Sequence, residues 1–152
     1  MSPVIAQEHL TYRQLADRVK TEMRAAYASI SDPEGDPLPR SYYYAHGALL
    51  YEPVPRNAVA TVKRKEALLT HVIPTLIRQI RPRLFALAVP VVVRGSGSEQ
   101  AWVQVLDAER SEVWRAEVVR REGRRPRVGE WFDGAPDTWE GRLMDAIRAA
   151  MR

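Results

Sequence analysis

Histidine is the side chain best suited to acid–base chemistry near neutral pH, and this chain contains three, His9, His46 and His71. Their spacing matches no metal-binding motif, and neither a nucleophile elbow nor a phosphate-binding loop accompanies them. His46 is the best candidate for catalysis because it lies among tyrosines and close in sequence to Asp36. A small hydrolase with a site centred on His46 is therefore one hypothesis. Because a lone histidine at a turn is more often structural, we expect no catalytic residue, no metal and no cofactor.

The acidic loop over residues 31–40 is the one segment whose spacing suggests a bound cation. Asp32, Glu34 and Asp36 alternate as calcium ligands do at the start of an EF-hand loop. The glycine of the loop comes two positions too early, however, and a tyrosine stands where the bidentate glutamate belongs. We therefore interpret this segment as a solvated turn, which agrees with its three prolines.

Basic side chains outnumber acidic ones by 23 to 19, which gives a net charge of +4 and an isoelectric point near 9.7. Only three of the 23 are lysines, a bias that the codons of a GC-rich bacterial genome produce whatever the function. The distribution is more informative, because the positive excess lies in residues 56–94. Two groups are candidates for contacting an anionic partner: Lys63, Arg64, Arg78 and Arg81 on one face of a central helix, and Arg120, Arg121, Arg124 and Arg125 in a loop.

These candidates favour a non-catalytic binding module, with nucleic acid as the first expected ligand and an acidic protein as the other. The alternative is a structural protein that self-associates, or binds a protein partner, through its most apolar segment, residues 84–93. The hydrolase centred on His46 is a further alternative. Whether the two basic groups converge in space depends on the fold, and the sequence leaves this open.

Three consecutive tyrosines, residues 42–44, precede a His-Gly pair that is typical of a hairpin turn. Side chains alternate across a strand, so the three cannot all face one way, and at least one should be exposed or bound to a partner. They could form a platform on which bases stack, flanked by Arg40 and Arg56. The simpler interpretation is that they straddle the core boundary with their hydroxyls in water.

The elements that must position these side chains begin with a helix that starts at Tyr12. Thr11 and Gln14 have the spacing of a capping box, and Leu10 and Leu15 have that of a hydrophobic staple. Apolar residues at helical spacing continue for about five turns. We therefore expect a long N-terminal helix with one buried face.

Two further helices are predicted, a central one at about residues 63–80 and a C-terminal one at about residues 138–151. Pro74 falls inside the central pattern, so a kink or two stacked helices should occur there. Asp137, with Glu140 three positions later, has the pattern of an N-cap for the last helix.

A mainly antiparallel sheet should pack against these helices. Its centre is a meander at about residues 84–120, which a hairpin at about residues 41–54 could extend. The first strand, residues 84–93, is apolar on both faces and must be covered on both sides. Pro90 cannot donate to a ladder, so we place this strand at an edge, covered by a helix or by a second copy of the chain.

The chain of 152 residues is long enough for one domain, which we place over residues 1–152 with a short tail at residues 1–10. It contains no cysteine, which rules out a disulfide framework and favours an intracellular location. The first residues lack the pattern of a secretion signal, and the longest apolar run is about half of what a membrane-spanning helix needs. We expect a single α+β domain in the cytoplasm that does not bind membranes.

Overall fold

The capping box predicted at Thr11 and Gln14 begins the first helix, α1 (Tyr12–Ala28). In the computed structural model, which describes residues 4–6, 9–134 and 139–152, the Gln14 N–H donates to Thr11 Oγ1 at 3.1 Å. The Thr11 N–H donates in return to Gln14 Oε1 at 3.0 Å. One face of α1 is buried, and it consists of Tyr12, Leu15, Ala16, Val19, Met23 and Tyr27.

The tyrosine segment forms the first strand of a hairpin, β2 (Arg40–Ala45), which pairs antiparallel with β3 (Ala48–Pro53). His46 and Gly47 both have positive φ angles, 53° and 73°, as a two-residue turn between twisted strands requires. The predicted hairpin is therefore confirmed. A short strand, β1 (Val4–Ala6), adds to the outer side of β3, and it comes from the segment that was expected to be a tail.

The predicted central helix consists of consecutive segments. A 3-10 turn (Arg56–Val59) leads to α2 (Val62–Ala67), a π-helical turn (Leu68–Val72) and α3 (Ile73–Ile80). Pro74 lies in the first turn of α3 and has no N–H to donate to a carbonyl of the preceding turn. The wider hydrogen-bonding pattern of the π-helical turn accommodates that missing donor. The interruption expected at Pro74 is therefore a π-helical turn between two α-helices.

The predicted meander is present as β4 (Leu84–Val92), β5 (Glu99–Leu106) and β6 (Ser111–Val119). Two short strands, β7 (Arg127–Val128) and β8 (Phe132–Asp133), both pair with β6. The strand order is β1-β3-β2-β4-β5-β6-β7, and every pairing is antiparallel. The fold is thus α+β with an antiparallel sheet, as predicted.

The expectation that the strand beginning at Leu84 lies at an edge is wrong. Between Leu84 and Ala88, β4 pairs with β2 on one side, and β5 pairs along its other side. Pro90 is tolerated because it lies beyond the last residue that β2 reaches, so its missing N–H breaks no bond on that side. The apolar residues from Leu84 to Val89 are buried within the domain, without a second copy, whereas Val92 at the end of β4 is 58% exposed.

Helices cover both faces of the sheet. α1 packs on the face that carries Tyr42 and Tyr44, and the helices of the central and C-terminal segments pack on the face that carries Tyr43. All three tyrosines are buried, with exposures of 1%, 1% and 3%. The Tyr42 hydroxyl donates to Glu22 Oε1 at 3.0 Å, and the Tyr44 hydroxyl accepts from the Leu10 N–H at 3.3 Å. The three tyrosines therefore do not form a platform on which bases could stack, and they do not lie at the core boundary with their hydroxyls in water.

The C-terminal segment forms two short helices, α4 (Trp139–Leu143) and α5 (Asp145–Ala150), instead of one. The interruption is at Met144, whose N–H bonds to the Gly141 carbonyl, three residues back, at 3.2 Å. Leu143 and Ile147 are buried, and the predicted cap Asp137 lies outside the described residues. No helix in the described parts of the chain combines the length and the apolar character needed to cross a membrane.

Candidate anion-binding surface

Arg120 opens the densest basic run of the sequence, and the structure pairs it with two carboxylates. Its Nη2 lies 2.5 Å from Asp36 Oδ1, and its Nε lies 2.8 Å from Glu99 Oε2. Its Nη1 donates to the carbonyls of Pro33 and Gly35, both at 3.1 Å. Arg120 therefore fastens the loop before β2 to the sheet, and its charge is neutralised where it stands.

The other arginines of this loop are exposed. Arg121 and Arg124 belong to a turn closed by a bond from the Arg124 N–H to the Arg121 carbonyl at 3.1 Å. Arg125 donates from Nε to the Ile30 carbonyl at 2.9 Å, which anchors the loop to the end of α1. Of the four predicted loop residues, only Arg121 and Arg124 make no side-chain contact of this kind with a described residue.

Lys63 and Arg64 lie exposed in the first turn of α2. Thr61 caps this helix by accepting the Arg64 N–H at 3.1 Å, and Arg64 Nη1 donates to the Asn57 carbonyl at 3.2 Å. Lys65, one position later, donates from Nζ to the Pro90 carbonyl at 3.2 Å. This contact places the start of α2 beside the end of β4.

Arg78 and Arg81 lie at the far end of the same helical segment, where they line a groove of about 500 Å³ between α3 and the end of α5. The opposite wall consists of residues 149–152 and includes Arg152. We call this feature the arginine groove and define it by Arg78, Arg81 and Arg152. All three side chains are exposed, and none of them forms an ion pair with a residue that the structure describes.

Arg81 ends α3 in the left-handed conformation, with φ 53° and ψ 56°. Its N–H bonds back to the Ile77 carbonyl at 2.8 Å and so closes the last turn. Glycine is the usual residue at such a position, because a Cβ is unfavourable there. A cation suits the site electrostatically, since the carbonyl end of a helix carries partial negative charge.

Arg152, together with Arg148, is the part of this surface that the sequence did not reveal. Arg148 is exposed on α5, and it lies with Arg152 beside the turn between β5 and β6, which contributes Asp107, Glu109 and Arg110. Arg110 is engaged there, 3.6 Å from Asp107 and 3.8 Å above the ring of Tyr12. The contact between α3 and α5 is a tertiary one, so no local pattern signals it.

Arg78 and Arg81 do not converge with the basic loop, whereas Lys63 and Arg64, at the other end of the central helix, lie at the same end of the sheet as Arg120. Arg81 precedes the start of β4, whereas Arg120 follows the end of β6. Because successive strands are antiparallel, the end of β6 lies beside the start of β5 and the end of β4. β4 has 9 residues, which corresponds to about 30 Å between its ends at about 3.3 Å per residue. The arginine groove therefore lies at the opposite end of the sheet from the loop.

The three histidines do not form part of a site suited to acid–base catalysis among the described residues. His9, His46 and His71 are exposed, and His46 occupies the hairpin turn without a hydrogen bond to a described residue. Among the described residues, no three His, Asp or Glu side chains lie close enough together to hold a metal ion. No described residue is hydrogen-bonded to His46 as a catalytic partner would be, so the structure gives the hydrolase hypothesis no support.

The arginine groove has the exposure and the unneutralised positive charge that an anionic ligand needs. No acidic side chain lines it within the described residues. Comparison with known proteins provides no further guide, since no protein-family model, no curated protein and no solved structure matches this chain.

Proposed function

We propose that this protein is a non-catalytic binding module that holds an extended anion, nucleic acid in the first instance, in the arginine groove. One observation carries the proposal: Arg78, Arg81 and Arg152 lie at the ends of two separate helices and face solvent together without an ion pair to a described residue. Guanidinium groups bind phosphate oxygens in a bidentate way, and clustered cations attract polyanions over a distance. The expected cytoplasmic location remains part of the proposal and rests on the absence of cysteine.

The exposed face of the central helical segment extends this surface. Lys63 and Arg64 lie at its beginning and Arg78 near its end. The segment over residues 62–80 is about 28 Å long at about 1.5 Å per residue. Each strand of a duplex carries a phosphate about every 3.4 Å of helix axis, so a duplex lying along this face would have about eight phosphates of one strand between the two ends. This length favours a polymer over a single phosphate group.

The test is a titration of fluorescently labelled single-stranded DNA, single-stranded RNA and duplex DNA, followed by anisotropy over a series of salt concentrations. The logarithm of affinity should fall linearly with the logarithm of salt, because bound phosphates release counterions. The double variant Arg78→Glu/Arg81→Glu should weaken binding at least tenfold at low salt. Binding that is insensitive to salt would contradict the proposal.

A matched control separates the groove from the overall charge of the protein. The double variant Arg121→Glu/Arg124→Glu lowers the net charge by the same amount but acts at the opposite end of the sheet. It should reduce affinity much less than the reversal at Arg78 and Arg81. Equal losses would mean that net charge alone attracts the polymer, and the groove would then have no specific role.

Two other partners, an acidic protein and a second copy of the chain, have tests of their own. Labelled polyglutamate replaces the oligonucleotide to represent an acidic protein, and preferential binding of polyglutamate would overturn nucleic acid as the ligand. Self-association through residues 84–93 has no comparable support, because β4 has paired strands on both sides between Leu84 and Ala88. A concentration series in light scattering measures it independently.

A further inference from the structure

A second cavity lies at the other end of the sheet, about one strand length from the arginine groove. It has a volume of about 410 Å³ and is enclosed by the end of β4, the start of β5, the loop before β2 and the beginning of α2. We call it the strand-end cavity and define it by six of its polar lining residues, which are Tyr27, Asp36, Lys65, Arg94, Glu99 and Gln100. Its size is within the range of sites for small molecules.

Apolar side chains form a large part of the cavity wall. Val62 and Val92, which both line it, are 51% and 58% exposed and are among the few large apolar side chains that face water. Val59 and Pro90 complete this side of the wall. A ligand that covers these groups would remove apolar surface from water, which favours binding.

Tyr27 provides a hydrogen-bonding group at the floor of the cavity that no described residue uses. Its ring belongs to the core beneath α1 and the residue is 1% exposed, yet its hydroxyl makes no hydrogen bond with a described residue. Burial, followed by the nearby charges of Asp36 and Glu99, raises the pKa of this hydroxyl, so it is a neutral donor at physiological pH. The oxygen is not one of the fully buried, unpaired polar atoms among the described residues, so water can reach it from the cavity and a ligand oxygen can replace that water.

The charged groups of the cavity are of both signs. Asp36 and Glu99 each give one carboxylate oxygen to Arg120. The other oxygens, Asp36 Oδ2 and Glu99 Oε1, accept no hydrogen bond from a described residue, so each can accept one from a ligand. Lys65 and Arg94 add two positive charges to the same lining.

We propose that the strand-end cavity binds a small molecule that carries an anionic group and, a few bonds away, hydroxyl or ammonium groups. The anionic group pairs with Lys65 and Arg94. The hydroxyl or ammonium groups donate to Asp36 and Glu99, and a ligand oxygen accepts from the Tyr27 hydroxyl. A sugar phosphate and an amino acid both have this chemistry. The site is independent of the arginine groove.

The test is NMR titration of the full chain with ribose 5-phosphate, L-leucine and inorganic phosphate at millimolar concentrations. Shifts of amide signals lining the cavity on addition of ribose 5-phosphate identify the sugar phosphate as the class, and shifts with leucine identify the amino acid. If neither causes shifts there, or if inorganic phosphate binds as tightly as the better of the two, the proposal is overturned.

Variants show whether the named groups hold the ligand. Tyr27→Phe removes only the hydroxyl and should raise the Kd about threefold to tenfold, the usual effect of one hydrogen bond, without loss of folding stability. Tyr42→Phe is the matched control, because its hydroxyl bonds to Glu22 and does not line the cavity. It should lower stability and leave the Kd unchanged. An unchanged Kd in Tyr27→Phe overturns the proposed role of the hydroxyl.

A second pair of variants tests the charged end of the site. Lys65→Gln should weaken binding of the anionic probe at least threefold, whereas Lys63→Gln, two positions earlier on the same helix and outside the cavity, should not. Equal effects of the two changes would overturn the pairing with Lys65. The variant Arg78→Glu/Arg81→Glu should bind the probe normally, so failure of this site and failure of the groove are separate results.

Discussion

The guanidinium of Arg120 lies 2.5 Å from the carboxylate of Asp36, which comes 84 positions earlier in the chain. With its second partner, Glu99, it joins the loop before β2, the start of β5 and the end of β6. An arginine from the densest basic run of the sequence is therefore a cross-link of the fold. The arginine groove lies elsewhere, at the end of α3.

Replacing Arg120 by lysine should lower the free energy of unfolding by about 1–2 kcal/mol, because an ammonium cannot satisfy two carboxylates and two carbonyls in the fork geometry of arginine. The value is modest since the side chains of Asp36 and Glu99 are 47% and 38% exposed, and solvent screens the charges. Urea unfolding followed by circular dichroism measures it. Arg121→Lys, one position later, should change stability by less than about 0.5 kcal/mol. A similar loss in both variants would contradict the cross-link.

Replacing Arg81 by glycine should stabilise the protein and weaken binding at the same time. A non-glycine residue at φ 53° costs about 1 kcal/mol, which glycine relieves, while the groove loses one of its cations. Arg78→Gly removes a charge from the same groove but lies inside α3, where glycine costs about 1 kcal/mol. Urea unfolding should therefore give changes of opposite sign, and anisotropy should give weaker binding for both. If Arg81→Gly lowers stability, the left-handed end of α3 is not strained.

Substitutions at the two residues of the hairpin turn should change the free energy of unfolding in opposite directions. His46 and Gly47 both have positive φ, and Asn-Gly is the pair that such turns favour most. We expect His46→Asn to raise the free energy of unfolding by about 0.5 kcal/mol and Gly47→Ala to lower it by about 1 kcal/mol. Thermal unfolding monitored by circular dichroism compares both with the unmodified chain. Destabilisation by His46→Asn would mean that the imidazole contributes more than its backbone strain costs.

Buried tyrosines should make the protein sensitive to alkali. Burial is the main cause that raises the pKa values of Tyr12, Tyr27 and Tyr42 in the folded state. In the unfolded chain tyrosines lose their protons near pH 10, whereas these three keep them to higher pH. Their contribution to stability is therefore complete below about pH 10 and is lost as the pH rises further, by about 1.4 kcal/mol per pH unit for each group.

Tyr27→Phe tests this dependence cleanly, because its hydroxyl has no hydrogen-bond partner among the described residues. The free energy of unfolding is measured in urea at about pH 9 and at about pH 11 for both proteins. The variant should lose about 1 kcal/mol less over this interval than the unmodified chain. Equal losses would show that Tyr27 ionises as easily in the folded protein as in the unfolded one.

Arg78 and Arg81 could be predicted from the sequence, because helical periodicity separates the polar face from the apolar face of residues 62–80. Arg152 could not, since its place in the groove depends on the packing of α5 against α3. The pairing of Arg120 was hidden for the same reason. Charge density along the chain counts arginines without showing which carboxylates the fold brings to them.

The placement of β4 illustrates the same limit. The apolar run from Leu84 indicated a strand buried on both faces, and Pro90 suggested an edge. Both features are satisfied because β2 pairs with β4 only as far as Ala88, which leaves Pro90 unpaired on that side. The length over which two strands pair is set by tertiary packing. The three tyrosines are buried for a related reason, since helices cover both faces of β2.

Local interactions by themselves determined that this chain has a capped helix from Tyr12, a hairpin at His46 and Gly47 and a meander after residue 84. Capping, turn conformation and side-chain periodicity act between residues a few positions apart, so a sequence displays them directly. Only the tertiary structure decided which arginines are neutralised, which face solvent together and where Tyr27 meets a cavity. Those outcomes depend on contacts between elements distant in the chain, and they follow from the packing of the helices and strands against one another.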